Sequence, residues 1–180
     1  MMRFLLAPLA LLLASCATLP APPAYDVLIR GGTIVDGGGG APYVGDVAIR
    51  GERIVAVAPH LPGAAVRTID ATGLTVAPGF INMLSWADEA LIADGAGESD
   101  IRQGVTLEVF GEGWSNAPLN DRAAAVLKSY QGDIQYDVTW RSLADYFRTM
   151  EARGIAPNIA TFVGAATARI AILGEGDVDP

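Results

Sequence analysis

Residues 75–91 read TVAPGFINMLSWADEAL, and at this stretch the chain changes its rhythm. Upstream, short alternating apolar runs break on glycine, proline or aspartate: YDVLIRGGTIVDGGGG, then VGDVAIRGERIVAVAPHLPG with a turn at Gly51-Glu52, then RTIDATGLTVAPGFI. Short strands between turn residues predict a small β-sandwich over residues 25–73. Downstream, strands and helices take turns. GLTVAPGFINML is an apolar run suited to a strand buried on both faces, and Asp88-Glu89 then opens a helix, where acids favour the dipole.

The alternation continues to the last residue. DEALIADGAGESDIRQG is polar and helical in part, and VTLEVFGEG is a second buried strand. NDRAAAVLKSYQG and TWRSLADYFRTMEARG read as helices, the latter with Thr139 as N-cap and Gly154 as C-cap. NIATFVGAATARIAIL reads as a third strand and its exit loop. Alternating β and α units predict a parallel sheet of the (β/α)8 TIM-barrel kind over residues 74–180. A whole barrel needs about 250 residues, so the expected fold is a truncated barrel. It comprises three β/α units with no helix after the third strand, as the N-terminal part of a longer protein. Such an arc leaves a raw parallel edge.

Composition narrows the function. The chain is 51% hydrophobic and 18% charged, with net charge −8 and twelve scattered basic residues, so it has a core and no basic face for nucleic acid. One histidine and one cysteine exclude an internal disulfide and a His/Cys metal cage. His60, between Pro59 and Pro62, reads as a solvated turn residue. Gly37 to Gly40 lacks a following helix, so it reads as a turn and not as a phosphate cradle.

The first residues are a targeting segment. Arg3 precedes FLLAPLALLLAS, too short to span a bilayer comfortably, and Leu13-Ala14-Ser15-Cys16 resembles a bacterial lipobox. That predicts a lipoprotein signal peptide over 1–15, lipidation of Cys16, and a Pro-rich tether over 16–24. Ala17 after the cysteine is expected to direct the chain to the outer membrane, facing the periplasm.

The pieces YDVLIRGGTIVDG, GDVAIRGERIVAVA, TIDATGLTVAPGFI, IRQGVTLEVFGEG and FVGAATARIAILG, in this order, are similar to the D-aminoacylase (N-acyl-D-amino-acid deacylase) branch of the amidohydrolase superfamily. The resemblance implies a composite β-sandwich beside a metal-dependent barrel, zinc as cofactor, and hydrolysis of N-acyl-D-amino acids. The departures sit where the chemistry would be. Leu84 and Trp86 stand in place of the family's paired histidines and have no lone pair for zinc, and Ala165 replaces a further histidine. With Asn82 they would share one strand face at the barrel mouth. GEGWS is one residue shorter than the family's Cys-bearing loop, which puts Glu112 at or beside a metal-ligand position, with Trp114 and Ser115 close to the substrate. A solvated, structural Glu112 is the other reading. Three functions follow. The first is a zinc amidohydrolase using Glu112 with downstream histidines. The second is a non-catalytic envelope lipoprotein binding a small ligand over Leu84 and Trp86. The third is an inactive fragment.

Overall fold

A computed structural model describes residues 23–176, and the chain divides into two units, residues 1–77 and 78–180. The expected signal peptide and Cys16 lie outside the described residues, as does the expected tether up to residue 22. Among the described residues no helix is long and apolar enough to cross a membrane.

In the first unit, period-two alternation becomes five strands: β1 (Tyr25–Ile34), β2 (Tyr43–Arg50), β3 (Arg53–Ala58), β4 (Ala65–Asp70) and β5 (Thr75–Val76). They form one sheet in the order β3-β2-β1-β4, with β5 also on β1. β1 is antiparallel to β2 and parallel to β4 and β5. β1 is irregular between Ile29 and Gly32. There Gly31 takes φ +69, a conformation that favours glycine. Its N–H donates to Asp46 Oδ1 at 2.9 Å, while Asp46 Oδ2 accepts from Leu61 N at 3.0 Å and Arg30 Nη1 at 3.2 Å. Burial pushes the Asp46 carboxyl up, but the Leu61 and Gly31 amides, with Arg30 and His60, outweigh it and hold it below 3.8. The core is small: Leu28, Ala48 and Leu61, flanked by Tyr25, Ala56, Ala58 and Ala65. Among the described residues these strands form a single sheet, one layer of the expected sandwich part. Val55, Val57 and Val66 stay exposed among the described residues.

The second unit is a three-stranded parallel sheet, β6 (Phe80–Asn82), β7 (Val105–Phe110) and β8 (Asn158–Thr161), in the order β6-β7-β8. Helices α1 (Asp88–Ala93) and α2 (Glu98–Ile101) precede β7, and α3 (Asp121–Ser129) and α4 (Leu143–Arg153) precede β8. The core gathers Leu91, Ile92, Phe110, Ala123, Met150 and Ile170 around an aromatic run. Trp140 stacks on Tyr136 at 6.0 Å and meets Tyr146 edge-on at 5.3 Å. Its indole N–H donates to Asn116 O at 2.7 Å, which satisfies the polar end of a fully buried ring.

Four expectations change here. The run 74–84 is not one strand buried on both faces. It breaks at Ala77-Pro78-Gly79 into β5 and β6, which lie in different sheets, since proline lacks the donor a strand interior needs. Phe80 and Ile81, on an edge strand with one neighbour, are more than half exposed. The N-cap of α4 is Ser142, not Thr139. Ser142 and Asp145 form a reciprocal capping box, and Leu119 N donates to Arg141 O at 2.8 Å, so the chain is still engaged outside the helix there. The exit loop after β8 is a helix, α5 (Ala165–Leu173), and this helix closes the third unit. Its alanines favour helix, and its all-round apolarity hid the period. Lastly, β6 ends at Asn82, so Leu84 and Trp86 do not continue its face.

Candidate functional site

The site lies where β6 and β7 end. Asn82 Oδ1 accepts from Leu84 N at 3.3 Å, a side-chain turn that replaces further strand pairing of the usual kind. Ser85 N still reaches Val109 O at 2.9 Å and Ser85 is buried, while Leu84 and Trp86 are 55% and 65% exposed. The apolar pair therefore borders the site from a loop.

After β7 the chain enters Gly111 to Asn116 and is clamped against α5. Gly164 N donates to Ser115 Oγ at 2.9 Å, Ser115 Oγ donates to Ala117 O at 2.7 Å, and Ser115 N donates to Thr167 Oγ1 at 2.8 Å. The Thr167 hydroxyl in turn donates to Ser115 O at 3.1 Å. A side chain at Gly164 would come within 2.6 Å of Gly113 O, so only glycine permits this approach. Every polar group of Ser115 is thus engaged by the fold. Ser115 thereby forms a clasp between loop and helix.

Glu112 is exposed. Trp114 packs edge-on against Tyr130 at 5.6 Å. Glu112 and Trp114 share a cavity of about 50 Å³ with Trp86, Asp88, Ser115 and Asn116. Asp88 Oδ2 accepts from Asn116 Nδ2 at 2.8 Å, and this contact settles which end of the amide is the donor. Asn116 is 4% exposed, and its Oδ1 is buried with no partner among the described residues. On the next helical position, Glu89 Oε1 accepts from the Tyr136 hydroxyl at 3.1 Å. Burial and Glu89 both push the Tyr136 phenol up, so it stays a neutral donor.

Among the described residues no three His, Cys, Asp or Glu side chains converge on a metal position. A zinc site takes three or four donors, and the described residues bring fewer together. The residues present here do not complete a zinc site, and no chemical step is routed through one below. Asn116 and Thr167 carry no local sequence signal, and Asp88 reads as an ordinary helix-start acid. Glu108, in β7, is 1% exposed with both carboxylate oxygens unpartnered among the described residues. Its place in an otherwise apolar strand was the one available hint.

Parallel strands each followed by helix define an α/β unit, and solved structures similar to it are amidohydrolases. The chain is similar to the N-terminal part of proteins of the D-aminoacylase branch of that superfamily. It is 37% identical over 158 residues to N-acyl-D-aspartate deacylase of Alcaligenes xylosoxydans xylosoxydans, covering 86% of this chain and 31% of that protein. The crystal structure of D-aminoacylase superposes with TM-score 0.69 at 34% identity, over 84% of this chain and 32% of the other. N-acyl-D-glutamate deacylase from Bordetella bronchiseptica, solved with zinc and a phosphonate inhibitor, gives TM-score 0.68 at 30% identity, with 84% and 32% covered. The chain thus spans about a third of the length of the relatives it matches. No family model matches it.

Proposed function

We propose that the chain is the N-terminal part of a longer amidohydrolase that hydrolyses a linear amide C–N bond, with N-acyl-D-amino acids as the substrate class. The observation that carries this reading is the match to D-aminoacylase at TM-score 0.69 and 34% identity. In this proposal β6, β7 and β8 are the first three strands of a (β/α)8 barrel, and the five-stranded sheet is one half of a composite sandwich. This chain's own residues shape the pocket: Trp86 and Trp114 wall it, the Ser115–Thr167 clasp fixes the loop that carries Glu112, and Asp88 holds Asn116. The relatives' metal centres extend the proposal to a metal cofactor, whose remaining donors come from beyond these residues. An N-terminal lipid on Cys16, anchoring the protein at the envelope membrane, belongs to the same proposal.

The test is hydrolysis of N-acetyl-D-amino acids against their L-isomers, followed by amine release. The subject is the polypeptide encoded by the whole continuous reading frame, with the 180-residue chain in parallel. D-selective turnover by the longer protein and none by the short chain is expected. No turnover of any N-acetyl-D-amino acid by the longer protein refutes the reading.

A further inference from the structure

The chain contains two Asp-Gly pairs, Asp36-Gly37 and Asp94-Gly95, and the fold treats them differently. In such a pair the main-chain nitrogen of glycine can attack the preceding side-chain carboxyl, because glycine puts no side chain in the path and lets the peptide turn freely. Both pairs carry the same local bond. Gly38 N donates to Asp36 Oδ1 at 2.8 Å, and Ala96 N donates to Asp94 Oδ1 at 3.0 Å. An N–H aimed at that oxygen stabilises the charge that develops on it during attack.

What separates the pairs is the hold on the peptide. Asp94 N donates to Ala90 O at 2.7 Å, and Gly95 O accepts from Ala156 N at 2.8 Å. A Cβ at Gly95 would lie 2.5 Å from Gly154 O. This peptide is therefore tied on both sides and packed against backbone. Asp36 instead follows the bond from Val35 N to Val76 O, and pairing with β2 begins at Ile34 opposite Tyr43. Asp36 and Gly37 to Gly40 are all exposed. Among the described residues nothing lies within 4 Å of where a Cβ on Gly37 would stand.

We infer that Asp36-Gly37 is a modification site, at which the backbone isomerises spontaneously to isoaspartate, and that the fold protects Asp94-Gly95 from the same reaction. Gly37 N forms a bond to Asp36 Cγ. The amide proton and the hydroxyl of the carboxyl group leave as water, and a succinimide ring closes. Water then adds to one of the two ring carbonyls. Addition at Cγ restores Asp36. Addition at the main-chain carbonyl breaks its bond to Gly37 N, frees a carboxylate there, and leaves the chain running through Cγ, one methylene longer. Water is the only other reactant. The inference is independent of the deacylase reading.

The experiment ages the 180-residue chain in warm neutral buffer for several weeks, once native and once in concentrated guanidinium chloride. Trypsin then cuts after Arg30, Arg50, Arg67 and Arg102, which places the two pairs in peptides 31–50 and 68–102. Electron-transfer fragmentation distinguishes aspartate from isoaspartate at each position. Peptide 31–50 also carries Asp46, which is buried and accepts through both oxygens, as an internal control. In the native chain isoaspartate at position 36 should exceed that at position 94 by at least about tenfold, the scale on which a misplaced attacking group loses rate. Asp46 should stay unmodified. In denaturant the two Asp-Gly pairs should accumulate isoaspartate at similar rates, because the tie on Gly95 is gone. Equal modification of the two pairs in the native chain overturns the inference. So does an unmodified Asp36 in the native chain beside a modified one in denaturant.

Discussion

Thr167→Val tests the clasp that holds the site's loop. Valine keeps the size and branching of threonine and removes one hydroxyl. That hydroxyl accepts from Ser115 N at 2.8 Å and donates to Ser115 O at 3.1 Å, and all three groups are buried. Orphaning a buried amide costs about 1–3 kcal/mol, and the second bond adds about 1. The sum is about 2–4 kcal/mol, against about 5–15 kcal/mol of total stability for a domain. For a unit of about 100 residues, each kcal/mol lowers Tm by about 4–8 °C, so a fall of at least ~10 °C is expected. Thr167→Ser is the control. It keeps both hydrogen bonds and loses one buried methyl, worth about 1 kcal/mol. All five described helices lie in residues 78–180, so thermal melting followed by the helical circular-dichroism signal reports on this unit. The expected order of stability is wild type, then Thr167→Ser, then Thr167→Val. Thr167→Val melting at or above Thr167→Ser would refute the reasoning, since the hydroxyl would then be holding nothing.

Asp46 makes the first unit acid-sensitive with a defined sign. Its carboxyl is held below 3.8 in the fold, so its contribution is fully present above that value and is lost as pH falls through the folded-state value. Wild type should therefore exceed Asp46→Asn in urea midpoint at about pH 7, with the gap closing as pH falls through the folded-state value; a gap that does not change with pH contradicts this. At the helix cap, Ser142→Ala should cost about 1 kcal/mol and Thr139→Ala much less, read by urea denaturation, and the reverse order would restore Thr139 as the cap. For the envelope anchor, Cys16→Ala should accumulate unprocessed precursor or soluble protein on membrane fractionation, and wild-type processing and partitioning of the variant would exclude lipidation at Cys16.

Much of the fold is legible because it depends on neighbours a few residues apart. Period-two alternation marks β1 to β4, the Gly51-Glu52 pair marks the β2–β3 turn, and Asn120 before DRAAAVLKS marks α3, whose Ala123 N it caps at 2.9 Å. Where a local signal is ambiguous the reading slips. AATARIAIL is apolar all round and shows neither period, and TWRS offers two hydroxyl caps, between which the Asp three residues after Ser142 decides. The site is a different matter. Asn116 meets Asp88 across 28 residues, and Thr167 and Gly164 meet Ser115 across 52 and 49. Nothing within a turn of chain specifies those pairs. The sequence by itself determined the family resemblance, the strand-to-helix change near residue 77 and the presence of Leu84 and Trp86 after the first strand, because each is a property of residue order. Only the tertiary structure clasped Ser115 between loop and helix and left Asn116 Oδ1 buried without a partner among the described residues. Hydrogen-bond partners are fixed by where parallel strands and the helices between them bring distant segments together, and that juxtaposition is set by packing the whole core.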